Sequence, residues 1–185
     1  LNTRPATCRR ATGKPTSETA KILMEIGITI RHTAWRTALP EARRVTRKAA
    51  LAALALASEP PANELAIVLA DDALVRALNK DYRGIDKATN VLAFRYADGE
   101  TAPAPGEALG DVVVALETAR REAETAGRSL HEHLSHLVIH GVLHLLGYDH
   151  ANDPDAETME NLEIQALAGI GITNPYMPAG AMTKK

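Results

Sequence analysis

The sequence predicts a mixed α/β (α+β) domain in which a mixed sheet of about four strands carries helices packed on it. Four short runs rich in β-branched residues, EIGITIRH, ELAIVLA, TNVLAFRY and LGDVVVAL, have the length and composition of strands. The stretches between and after them have helical composition and recognisable caps, and three of these follow one another near the C-terminus. The resulting order is strand, helix, strand, helix, strand, strand and three helices, a mixed domain whose helical layer is weighted toward the C-terminus.

Each element has its own reason. Apolar and polar residues alternate from Ile26 to Arg31, the signature of a strand with one buried face. Pro40 then opens PEARRVTRKAALAALALASE, an Ala-rich helix that Pro60 and Pro61 end. Its basic residues sit early, against the helix dipole, so they read as a solvated face. ELAIVLA is a buried strand, and Asp71 caps the helix DALVRALNKDYR. TNVLAFRY is β-like and ADGETAPAPGEA is a loop of Gly, Pro and small residues. LGDVVVAL, β-branched and with Gly110 near its start, is the clearest strand. ETARREAETAG is a short charged helix stopped by Gly127. Ser129 caps a long helix, SLHEHLSHLVIHGVLHLLG, that Gly147 ends. Asp153 as N-cap and Pro154 in the first turn open the last helix, in which Met159 and Leu162 pack inward.

Bulk composition narrows the classes. A chain of 185 residues with 45% hydrophobic and 24% charged residues is most simply one globular domain. Aromatic residues make up only 3%, so Ala, Leu, Ile and Val must fill the core. A net charge of −2 confines any nucleic-acid contact to a local basic patch. Cys8 is the single cysteine, which excludes an intrachain disulfide and suits a reducing, cytoplasmic setting. No apolar run approaches the roughly 20 residues that span a bilayer, so no membrane partner is expected. Residues 1–23 read as a disordered leader, 24–176 as the domain and 177–185 as a flexible tail.

The stretch HGVLHLLGYDH, residues 140–150, carries the chemistry. Four helical residues advance about 400°, so His140 and His144 project from one face about 40° apart. Gly147 can end the helix at positive φ and turn the chain back, so that His150 returns as a third ligand. Three neutral imidazoles with one open position are the ligand set of catalytic zinc, although other divalent metals also bind such sites. His136 stands one turn before His140, but three ligands along one straight helix would span about 12 Å, too far for one ion. It is therefore expected to support the ligand rings from behind or to pack, while His131 and His133 face solvent. Asp149 either orients a ligand imidazole from behind or caps the turn after Gly147. The spacing matches the metzincin protease signature HExxHxxGxxH except that Gly141 replaces the glutamate. That glutamate is the peptidase's general base, so a zincin-like helix and turn remains without the base.

The chain also resembles the YbeY family of bacterial rRNA maturation factors. HGVLHLLGYDH is that family's hallmark, DYRGIDKATNVLAF resembles its YRxxDxxTNVLSF segment with Ala93 in place of serine, and LGDVVVAL resembles its LGDIVI strand. The likeness runs from Met24 to about Tyr176. It implies a zinc-dependent, single-strand-specific endoribonuclease acting in small-subunit rRNA 3′-end maturation and ribosome quality control. Carried over by motif position, His140, His144 and His150 hold the zinc ion and Arg83 is the catalytic arginine. The implied partners are ribosomal RNA, small ribosomal subunit proteins and the GTPase Era.

The residues suit phosphodiester chemistry. Zinc polarises a phosphoryl oxygen or lowers the pKa of a water to about 7. Arg83 can fork onto two phosphate oxygens. Residues 80–95 carry a local charge of +2 from Lys80, Arg83, Lys87 and Arg95 against Asp81 and Asp86. Lys87 and Asn90 are thus candidates for substrate binding with Arg83. The same residues also read as a solvated loop with ion pairs of its own, Arg83 with Asp86 for instance, and Asn90 as a residue that holds its loop. Two other classes stay open: a metalloprotease-like hydrolase with a carboxylate from elsewhere, and a non-catalytic ribosome-assembly factor with a structural metal.

Overall fold

A computed structural model describes residues 24–57, 64–96, 108–150 and 152–177. The leader, the end of the Ala-rich helix at Pro60 and Pro61, most of the Gly- and Pro-rich loop, and the tail beyond Met177 lie outside the described residues.

Four strands form one mixed sheet: β1 (Glu25–Ile30), β2 (Glu64–Ala70), β3 (Val91–Arg95) and β4 (Ala108–Ala115). Their order is β1-β2-β4-β3, with β1, β2 and β4 parallel and β3 antiparallel to β4. Buried on both faces, β4 lies in the middle of the sheet, as its continuous Val run demands. Both edge strands need their free backbone groups managed. At β1 the Arg47 guanidinium donates to the Ile26 carbonyl at 3.0 Å, and Arg43 donates to that of Ile28. The basic residues expected on a solvated face are exposed, yet they latch the helix to this edge.

Those arginines belong to α2 (Ala42–Leu54), which starts after Pro40. Before it lies a helical turn the pattern did not announce, α1 (Trp35–Ala38). Trp35, the only tryptophan, is fully buried there and donates its indole N–H to the Ala70 carbonyl at 2.8 Å. Its body fills the core while its one polar atom is satisfied. The other helices are α3 (Asp72–Arg83), α4 (Leu116–Thr125), α5 (Leu130–Leu145) and α6 (Asp153–Gly169). Asp71 caps α3 by accepting the Leu74 amide. Ser129 and Glu132 form a reciprocal capping box on α5. The cap of α6 is Asn152, not Asp153, because Asn152 accepts the Asp155 amide and leaves Asp153 and Pro154 in the first turn.

The two faces of the sheet are covered unequally. Ile26, Ile28, Leu65, Ile67, Leu69, Val112 and Val114 point into the main core, where α2, α5 and α6 pack. Met159 is buried in it and Leu162 packs at its margin. The opposite face offers Val68, Ala70, Leu92, Phe94, Val113 and Ala115, covered by α3 through Leu74, Val75 and Leu78. Helix α5 is the centrepiece of the closed face, because nine of its sixteen residues are buried. A helix so enclosed is a rigid mount for side chains along its one open side.

Candidate metal centre

Close contact between α5 and the sheet comes first. A Cβ on Gly141 would stand 2.7 Å from Val112 Cγ1 and 3.4 Å from Val91 Cγ2. Glycine is therefore the residue that lets α5 lie directly on β3 and β4. The glutamate of a zinc protease has no room here, which gives a structural reason for its absence.

One turn of α5 carries His140 and His144, and Gly147 at φ +95° turns the chain back after it. The turn is closed by the Gly147 amide donating to the His144 carbonyl and the Tyr148 amide to that of Leu143. Asp149 accepts the His150 amide at 2.8 Å through Oδ1, so it caps the turn. Of the two roles open to it, this is the one its hydrogen bond fills, since the same oxygen lies 3.9 Å from His144 Nδ1. As a result, nitrogens of His140, His144 and His150 all lie within 4.8 Å of one another.

Hydrogen bonds orient two of the three rings. His140 Nδ1 lies 2.7 Å from Glu163 Oε1, and His144 Nδ1 lies 3.1 Å from the Tyr148 carbonyl. Both partners only accept, which puts the ring proton on Nδ1 and leaves each Nε2 with a bare lone pair. These Nε2 atoms face each other at 3.1 Å. Two lone pairs so close repel unless a cation lies between them, and ligands about 2.05 Å from a tetrahedral ion stand roughly 3.3 Å apart. Donor type, tautomer and spacing thus fit a divalent metal. Burial, and then the cost of a further positive charge so close to the other two imidazoles, lowers the His144 pKa, which favours the neutral ring that can coordinate.

Behind the ligands is a residue that the sequence reading missed. Glu163 on α6 is 1% exposed and accepts hydrogen bonds from His140 Nδ1, His136 Nε2 at 2.7 Å and the Tyr176 hydroxyl. Burial pushes its carboxyl up, but the three hydrogen bonds hold it down at about 2, so it is an anion at neutral pH. It stands where the carboxylate of a carboxylate–histidine–metal arrangement would stand if His140 held an ion. His136 meets this carboxylate and does not join the cluster. A signal was present: Glu163 shares the buried stripe of Met159, Ala166 and Leu167, where a carboxylate needs a partner. The Tyr148 carbonyl had no sequence signal, because any residue carries one.

The histidines open into a cavity of about 530 Å³ that Arg83, Asn90, Ala93, Arg95 and Asp149 also line. Arg83 is the last residue of α3, followed by Gly84 at φ +71°. It makes no ion pair with Asp86, whose carboxylate takes Arg76 at 2.7 Å and Lys80 at 3.3 Å. Among the described residues the Arg83 side chain has no hydrogen-bond partner. Asn90 is held tightly: its Oδ1 accepts the Val91 amide and its Nδ2 donates to Glu122 Oε2 at 2.9 Å. His133 meets the same Glu122 oxygen at 3.0 Å and is half-buried, contrary to the expectation that it faces solvent. Its partner lies on another helix, a contact invisible to local pattern. Lys87 lines a separate groove with Asp72, Arg76 and Asp86.

Fold and site together define an α+β domain with a three-histidine cluster suited to a divalent ion beside an arginine, the layout of a metal-assisted hydrolase. The family profile of Endoribonuclease YbeY matches residues 28–171. An Endoribonuclease YbeY of Paramagnetospirillum magneticum is 50% identical over 159 residues, covering 84% of this chain and 97% of that protein. One from Azorhizobium caulinodans is 46% identical over 84% of this chain and 99% of its own length. The solution structure of TM1509 from Thermotoga maritima aligns with 85% of this chain at 18% identity and TM-score 0.48. On the profile and the two relatives, the chain belongs to the endoribonuclease YbeY family.

Proposed function

We propose that this chain is a zinc-dependent endoribonuclease that cuts single-stranded RNA in the processing of ribosomal RNA. In this reading it acts at the 3′ end of the small-subunit rRNA and in ribosome quality control. The family supplies the activity class, and an endoribonuclease has RNA as its substrate. The observation that carries the mechanism is the convergence of two bare Nε2 atoms and His150 on one side of a cavity that Arg83 also lines, a guanidinium with no hydrogen-bond partner among the described residues. His140, His144 and His150 would hold the ion, which supplies Lewis-acid polarisation of the scissile phosphate and a more acidic water.

The chain's own groups do the rest. Arg83 forks onto phosphate oxygens, stabilising negative charge where it builds in the transition state. Arg95 adds a second guanidinium to the same cavity, beside Gly147. Asn90, fixed by Glu122, keeps the start of β3 in register with the cavity wall. Glu163 holds His140 in the productive tautomer. Lys87, further out, is assigned to phosphates flanking the cleaved bond.

Small ribosomal subunit proteins and the GTPase Era are the proposed partners, and the cytoplasm the proposed compartment; the sequence resemblance supports both. No helix among the described residues is long and apolar enough to cross a membrane.

The test incubates metal-loaded protein with single-stranded rRNA beside His140→Ala and Arg83→Ala variants. Cleavage lost in both, with zinc retained by Arg83→Ala, is the expected result. Equal cleavage by all three would point to a contaminating nuclease and overturn the assignment. Casein hydrolysis without RNA cleavage would favour a protease, and binding to precursor ribosomes without cleavage an assembly factor.

A further inference from the structure

We propose that the open face of the sheet is a stacking site for bases of the single-stranded RNA that flank the cleaved bond, a deepening that rests on the endoribonuclease reading. A second cavity, about 820 Å³, lies on this face over Val68, Phe94 and Val113 and beside α3. That size falls within the roughly 300–1,000 Å³ usual for small-ligand sites. Two of its three aromatic residues are presented to solvent. Tyr82 is 71% exposed and Tyr96 57% exposed, in a protein with only four tyrosines and one phenylalanine. The Tyr82 ring packs against Phe94 with centroids 5.0 Å apart and planes tilted by 58°, while much of the side chain meets solvent. Tyr96, two residues beyond Phe94, is anchored by its hydroxyl donating to Asp111 Oδ2 at 2.6 Å. Exposed rings held in place at a protein surface, here one from α3 and one just past β3, are how proteins stack unpaired bases without reading their sequence.

Charge and continuity point to the same occupant. Among the described residues, Arg31, Arg83 and Arg95 line this cavity with one carboxylate, that of Asp111. Arg83, Ala93 and Arg95 line both this cavity and the histidine cavity, so the two meet around the edge strand β3. A polyanion whose phosphate sits at Arg83 is thereby led over the edge of the sheet, with its next bases beside Tyr82 and Tyr96. A single-stranded chain can follow that bend and present unpaired bases, whereas a duplex keeps its bases stacked inside. The site therefore gives a physical source for single-strand preference.

Steady-state cleavage of single-stranded RNA by the full-length metal-loaded protein tests this, with Tyr82→Leu, Tyr96→Leu and the ring-retaining Tyr82→Phe. Each loss of a ring should raise KM roughly tenfold with kcat preserved, as expected for a stacked base. Tyr82→Phe should behave as wild type. Replacing single nucleotides near the cut by abasic sites should reproduce the defect in wild type and add nothing in the leucine variants. Unchanged KM in both leucine variants, with normal cleavage by wild type, overturns the stacking site but leaves the nuclease intact, and assigns the cavity to another occupant such as a protein segment. Failure of wild type to cut RNA at all overturns the function first and this site with it.

Discussion

The two faces of the sheet divide the labour of this protein. The closed face buries its side chains under α2, α5 and α6, and there Gly141 brings α5 so near β4 that the histidines gain a fixed mount. The opposite face, covered in part by α3, has a small cluster and keeps Tyr82 and Tyr96 in solvent. Rigid placement is what ligands of a metal need, since nitrogens must be held within fractions of an ångström. Accessibility is what a flexible polymer needs. Under the proposed function one sheet would serve both, with the groups assigned to catalysis at the strand edge where the faces meet.

Several measurements probe this contrast, beginning with the greatest effect. His144→Ala should lose bound metal and with it RNA cleavage by several orders of magnitude, since two remaining ligands hold zinc poorly. Metal analysis of the purified variant and a cleavage assay check it; full metal content would remove His144 from the centre. On the closed face, Ile67→Ala should cost about 2–5 kcal/mol in chemical denaturation. Its neighbour Val68→Ala, facing the open side, should cost about 1 kcal/mol or less, because that side chain is only partly buried. Equal losses would mean the two faces are packed alike. Glu163→Gln keeps the shape but removes the anion behind His140, and should weaken metal affinity about 10- to 100-fold in a chelator competition. An affinity unchanged in that variant would reduce Glu163 to a packing residue. Lys87→Ala should act least: a several-fold loss of RNA affinity and a salt dependence shallower by about 0.7, with cleavage at saturation unaltered.

Much of this was legible beforehand, and the reasons are local. Strand β4 announced itself through Val112, Val113 and Val114, and α5 through Ser129 and the four-residue step from His140 to His144. Period and cap chemistry are properties of neighbouring residues, so they survive without tertiary information. What escaped was set by distance in the chain. Glu163 is 23 residues from the ring it supports. His133 finds Glu122 on another helix. Trp35 finds the end of β2. The α6 cap moved by one residue, from Asp153 to Asn152, because both side chains can accept an amide and backbone geometry chose between them.

By itself, the sequence determined the types of donor and their order: three imidazoles, a glycine able to reverse the chain, and an arginine inside a basic segment. These are chemical identities and short-range geometry, settled by bonds and by a helix's pitch. Only the tertiary structure decided which nitrogen of His140 and of His144 is bare, that no carboxylate fits at position 141, and that Arg83 stands in the lining of the histidine cavity. Those depend on Glu163, Val112 and α3 arriving from remote parts of the chain, and close packing alone brings such groups into contact.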